Sequence, residues 1–126
     1  MNNEECVLVV DDDEITRFIV SEQLNKFGIN TIHAASSNAA LIQLTENNVK
    51  VVITDMRIDQ EFSGIKILIL SKFFRKDIPV FVMSGGIHNE KQLSSLGAEA
   101  FIPKPFQDDS FCQIVDAFAV TRRTTG

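Results

Sequence analysis

No stretch of this 126-residue sequence is long and apolar enough to cross a bilayer; even the strongly apolar run from Ile65 to Leu70 falls far short. The first residues, Met1-Asn2-Asn3-Glu4-Glu5, contain no apolar core of a secretory signal. Positive charge is also scarce. Twelve Lys and Arg stand against seventeen Asp and Glu, a net charge of −5, which leaves no electrostatic footprint for direct nucleic-acid binding. The two cysteines, Cys6 and Cys112, form no CxxC and have no metal-ligand spacing. They read as buried thiols in a reducing compartment. Internal repeats, low-complexity segments and linkers are missing too. No GxGxxG or Walker-type loop follows the first apolar run, which argues against a nucleotide or flavin carrier. The expectation is a cytoplasmic protein without membrane contact, a single domain over 1–126 with a core of about 6–120 and a polar tail at 121–126.

What is present centres on Val51-Val52-Ile53-Thr54-Asp55. A short β-branched run bounded by polar residues reads as a strand buried on both faces, here over 50–54. It ends in a carboxylate. Three other pieces follow the same logic: a strand over 6–10 before Asp11-Asp12-Asp13, Phe81-Val82-Met83 before Ser84, and Phe101-Ile102-Pro103 before Lys104. A weaker strand covers 30–35. Between the strands, helices are expected from Asp13-Glu14 to about Gly28, over 39–47, from Gly64 to about Phe74, over about 90–96 and over about 107–120. Strands alternating with helices argue for a parallel sheet covered on both faces. The helix from Gly64 carries more Ile, Leu and Phe than one buried stripe needs, and is expected to offer a dimer or kinase-docking surface.

In such a sheet the carboxyl ends of the strands share one edge, where ligands bind. Asp11, Asp12, Asp55, Ser84 and Lys104 would converge there. Clustered carboxylates raise one another's pKa, and a hard divalent cation removes that penalty. Oxygen donors without His or Cys select Mg²⁺ (or Mn²⁺) over zinc. A metal, a lysine and a hydroxyl around one carboxylate form a cradle for phosphoryl oxygens, with Asp55 as nucleophile. Singly, each residue has an ordinary explanation: Asp13 as a helix cap, Asp55 and Ser84 as turn residues, Lys104 as a solvated loop residue, Phe101 as core, His33 and His88 as surface groups.

Jointly, VLVVDDD, VVITD, FVMSGG and FIPKPF stand in one order across residues 6–120, and the chain resembles a receiver domain of the two-component response-regulator family. The resemblance implies a flavodoxin-like doubly wound fold with strand order 2-1-3-4-5. It implies Asp55 as phosphoacceptor, Asp11 and Asp12 as the acidic pair organising Mg²⁺, and the backbone carbonyl of Arg57 as a further metal ligand. Ser84 and Lys104 would contact the phosphoryl group, Phe101 would be the aromatic rotamer switch, and Pro105 a cis-proline candidate. The implied partners are a histidine kinase or histidine phosphotransfer protein and a downstream protein target, with a homodimer as a further option. The loop from Met56 to Ser63 lacks the family's usual Met-Pro pair and is slightly long, and the stretch from Ser84 to Gly97 is slightly short. Two other readings use the same sheet. One is an interaction module that works unphosphorylated, against which the intact Asp55, Lys104 and Ser84 set argues. The other is an aspartyl-nucleophile phosphatase, which would want a second aspartate where Arg57 stands.

Overall fold

The apolar runs and the breaks between them form nine elements in the computed structural model, which describes residues 2–56, 63–84 and 90–104 together with Cys112 and Val115. In chain order these are β1 (Asn2–Val10), α1 (Glu14–Lys26), β2 (Thr31–Ala34), α2 (Ser37–Glu46), β3 (Asn47–Asp55), α3 (Ser63–Phe74), β4 (Val80–Ser84), α4 (Glu90–Ser95) and β5 (Ala100–Pro103). The strands form one parallel sheet in the order β2-β1-β3-β4-β5, as expected. The expected helix over 107–120 lies outside the described residues except at Cys112 and Val115, which are helical and buried.

Alternation along the central strands sends side chains to two separate cores. Leu8, Val10, Val52, Val80 and Val82 pack with Ala40 and Leu44 of α2, Ile67 and Leu68 of α3 and Leu93 of α4. Val7, Val9, Val51, Ile53, Phe81 and Met83 pack on the other face with Val20 and Leu24 of α1, and with Cys112 and Val115. Both cysteines are buried. Local chemistry sets the helix ends. Asp13 caps α1, its carboxylate accepting from the Ile15 N–H and the Thr16 hydroxyl. Ser36 caps α2 through the Ala39 N–H. After α1 the chain turns through Gly28 at φ 78°.

Three elements depart most from the boundaries expected from the sequence. β1 begins at Asn2 rather than residue 6, because Asn2 and Glu5 pair with Asn47 and Asn48 across an irregular ladder. β3 accordingly begins at Asn47 rather than residue 50, and α2 runs over 37–46 rather than 39–47, meeting β3 with no residue between. The apolar residues of α1 also divide differently. Val20 and Leu24 face the core, whereas Ile15, Phe18 and Ile19 are exposed.

Ser71 of α3 is fully buried, and its hydroxyl has no hydrogen-bond partner among the described residues. A buried unsatisfied hydroxyl costs stability, and serine is a poorer helix former than alanine. Ser71→Ala is therefore expected to stabilise the fold by about 1 kcal/mol. A rise in the urea midpoint at constant slope checks it; a fall in the midpoint would refute it.

Candidate functional site

β1 and β3 are neighbours in the sheet and end together, with Val10 opposite Thr54. That register brings Asp11 and Asp12, just past β1, beside Asp55 at the end of β3. One carboxylate oxygen from each of the three lies within 4.8 Å of the others. β5 delivers the cation from two strands away. The Lys104 ammonium donates to Asp11 Oδ2 at 3.0 Å and to Asp55 Oδ1 at 3.1 Å.

The three carboxylates sit at different depths. Asp11 is completely buried, Asp55 half-buried and Asp12 exposed. Asp11 is fixed from several sides. Its Oδ1 accepts the Asp13 N–H at 2.9 Å, and its backbone carbonyl accepts Arg17 Nη1 at 2.6 Å. Burial pushes the Asp11 carboxyl above its ordinary pKa, and the Asp55 charge adds to this, against the lowering by the Asp13 N–H and Lys104. Burial alone would pull Lys104 down, but its bonds and charges with Asp11 and Asp55 outweigh that and hold the ammonium above its ordinary 10.5. Asp55 is anchored through its main chain. Its carbonyl accepts the Thr54 hydroxyl at 3.0 Å, and the next N–H, of Met56, donates to Met83 on β4 at 3.1 Å.

The donor set suits a divalent cation. It is all oxygen, it gathers three carboxylates within 4.8 Å of one another, and it has an exposed member in Asp12. Asp11, Asp12 and Asp55 would hold such an ion.

Of the residues expected at the site, Asp11, Asp12, Asp55 and Lys104 converge. Ser84 closes β4, with its backbone opposite Pro103 of β5; its side chain, like Arg57 and Pro105, lies outside the described residues. His88 does too. Phe101 is half-buried on β5, one strand from Val82, against the core shared with α3 and α4. His33 lies away from the cluster, 2.7 Å from the Ser21 hydroxyl.

Two residues of the site escape the sequence reading. Arg17 buttresses Asp11 through a backbone carbonyl, a contact with no pattern in the sequence; only its place one turn into α1 hints at it. Gly64 is the other. Its N–H donates to Met56 O at 3.2 Å, and a Cβ there would collide with the Asp55 carbonyl oxygen and lie 2.8 Å from that of Met56. The helix start therefore rests directly on the strand end that presents Asp55.

Comparison with known proteins gives consistent likenesses. The family model described as response regulator receiver domain matches residues 7–116. A putative response regulator NtrX-like protein of Rickettsia felis is 36% identical over 106 residues, 82% of this chain but 22% of that protein; the chain thus spans about a fifth of such relatives. Sporulation initiation phosphotransferase F of Bacillus subtilis is 32% identical over 116 residues, covering 90% of this chain and 93% of that one. Among solved structures, the receiver domain of NtrX from Brucella abortus superposes with a TM-score of 0.78 at 28% identity, covering 88% of this chain and 94% of that one.

Proposed function

Since this chain belongs to the response regulator receiver domain family, the signalling switches of two-component systems, we propose that Asp55 accepts a phosphoryl group from a phosphohistidine on a kinase or phosphotransfer protein. The observation that carries this reading is Lys104, whose ammonium is held 3.1 Å from an Asp55 oxygen by a buried second carboxylate, Asp11.

An Asp55 oxygen attacks phosphorus, the O–P bond forms, and the P–N bond to the donor imidazole breaks. The imidazole leaves with the bonding pair, and the product is an acyl phosphate on Asp55. Lys104 neutralises charge on the incoming phosphoryl oxygens without moving far, because Asp11 already positions it. Arg17 and the Asp13 N–H keep Asp11 in place. A Mg²⁺ ion held by Asp11, Asp12 and Asp55, with the Arg57 carbonyl as a further ligand, would supply the remaining charge neutralisation. Ser84 and Phe101 are read as the response: the hydroxyl binds the phosphoryl group, the ring repacks, and a downstream protein reads the altered surface. The role is a switch rather than a catalyst with turnover, in one receiver unit in the cytoplasm, in keeping with two buried thiols.

The exposed trio on α1 fits the donor. Ile15, Phe18 and Ile19 follow directly on the acidic cluster, so a protein approaching Asp55 would cover them.

The test is intact mass after incubation with acetyl phosphate and Mg²⁺. Wild type gains one phosphoryl group; Asp55→Ala and EDTA-treated protein gain none. With a phosphohistidine protein as donor, Phe18→Glu slows transfer at least about tenfold while leaving acetyl phosphate uptake intact. If neither acetyl phosphate nor beryllium fluoride produces any response, the phosphoacceptor reading fails and an unphosphorylated interaction module replaces it.

A further inference from the structure

The far end of the sheet, where the strands begin, carries a second surface of opposite character. α3 ends there. Lys66, Ile69 and Phe73 recur at i, i+3 and i+7, one face of the helix, and all three are exposed. Phe73 is 80% exposed, the most of any large apolar residue described. Its ring meets Phe74 edge-on, with centroids 5.4 Å apart. Phe74 in turn walls an open cavity of about 380 Å³, whose lining adds Val49, Ile78 and Pro79, the cations Lys50, Arg75 and Lys76, and one acid, Asp77.

The charge here is anomalous for the chain. Between residues 66 and 77, Lys66, Lys72, Arg75 and Lys76 face a single acid, Asp77, in a protein of net charge −5. Arg75 is locked in the cavity wall, donating to the carbonyls of Val49 and Asn47. Lys76 is exposed, and Lys50 keeps only a loose 3.9 Å pairing with Glu5. Two exposed phenylalanines inside a cationic rim are not a generic solvated surface.

The rim decides what covers the aromatics. A two-fold pairing of copies through α3 would set these cations against one another. A small ligand could fill the cavity but would leave Phe73 bare outside it. We propose that this end of α3 docks an acidic amphipathic segment of a partner protein. One apolar side chain enters the cavity beside Phe74, neighbouring apolar residues cover Phe73, and carboxylates meet Lys50, Arg75 and Lys76. Val49 and Lys50 begin the run that ends at Asp55, so the surface lies roughly 17 Å along the strand from the phosphoacceptor. It is a second, independent contact.

The experiment is panning of a random-peptide library displayed on phage against the whole chain, with Phe73→Glu as the counter-selecting protein. The expected winners are rich in Asp and Glu around Phe, Leu or Trp. Their affinity falls at least about tenfold with Phe73→Glu and again with Lys76→Glu. Both positions are exposed, so circular dichroism and the acetyl phosphate mass shift stay unchanged, which separates this result from any failure of the Asp55 reading. Peptides that are not acidic, or no enrichment over the counter-selector, overturn the proposal. So does a dimer in sedimentation equilibrium that Phe73→Glu dissolves, which would hand the face to a second copy. Binding of phosphatidylserine vesicles in place of peptides would hand it to a membrane, and overturns the proposal equally.

Discussion

Gly64→Ala is expected to cost about 2–4 kcal/mol of stability, more than a surface change of one methyl group ordinarily does. The reason is what the methyl would strike. Three backbone atoms lie within 3.0 Å of its position: the carbonyl oxygens of Asp55 and Met56 and the Met56 Cα. Backbone cannot rotate aside as a side chain can. Either the first turn of α3 lifts away or the end of β3 bends. Both outcomes displace Asp55, whose following N–H is tied to Met83. Phosphoryl uptake should therefore slow along with the loss of stability. Gly97→Ala is the natural comparison. Gly97 has φ 108°, a strained setting for alanine, but the nearest contact is the flexible Lys72 Cε at 3.1 Å. Its cost should be near 1 kcal/mol and leave phosphoryl uptake alone. Urea unfolding of the two variants checks the ranking. A Gly64→Ala protein as stable as wild type would show that the close approach of α3 to β3 is not as described.

Lys104→Ala is the second large effect, and its pH dependence is its signature. The substitution leaves Asp11 fully buried next to Asp55 without the ammonium that pairs with both. Breaking a buried pair in this way costs about 3–5 kcal/mol; because the Lys104 side chain is 24% exposed, about 2–3 is the better expectation. The signs follow from the shifts. Lys104 is held above 10.5 in the fold, so its contribution is complete below 10.5 and disappears as pH rises through the folded value. Asp11 is also raised, so its contribution is present below 3.8 and is lost as pH rises through its folded value. At neutral pH the buried Asp11 carboxylate is thus a burden that Lys104 relieves. The deficit of Lys104→Ala should be full at neutral pH and shrink in acid, as Asp11 takes a proton and no longer needs the cation. Phosphoryl uptake should drop by about 10²-fold, the usual effect of losing one charge-stabilising donor. Mg²⁺ should raise the melting temperature of both proteins. A deficit that is flat across the acid range would show that Asp11 does not carry the burden, and an absent Mg²⁺ effect in both would remove the metal from the site.

The cores of the strands were legible because apolar β-branched runs leave few alternatives: Val51 to Thr54 reads as a buried strand and is one. The strand beginnings were not. Asn2 to Glu5 and Asn47 to Val49 carry one apolar residue, the buried Val49, too few for an apolar rhythm, and main-chain pairing ties the two segments together. In α1 the number of apolar residues was legible, but not the side that faces in. Val20 and Leu24 sit against Val7 and Val9, and this turns Ile15, Phe18 and Ile19 outward. At the site, the residue types named the chemistry and the strand order placed them together. Which carboxylate is buried was not readable, because depth depends on neighbours such as Arg17 and Lys104 that arrive from elsewhere in the chain.

The junction where α2 runs into β3 without an intervening residue also governs which insertions and deletions this chain can accept. A one-residue insertion there has no loop to absorb it. It would slip β3 against β1, and in a two-residue repeat that slip exchanges neighbours: Thr54, wholly buried, would trade places with Asp55. Length change in such a chain is confined to segments beyond the strand ends.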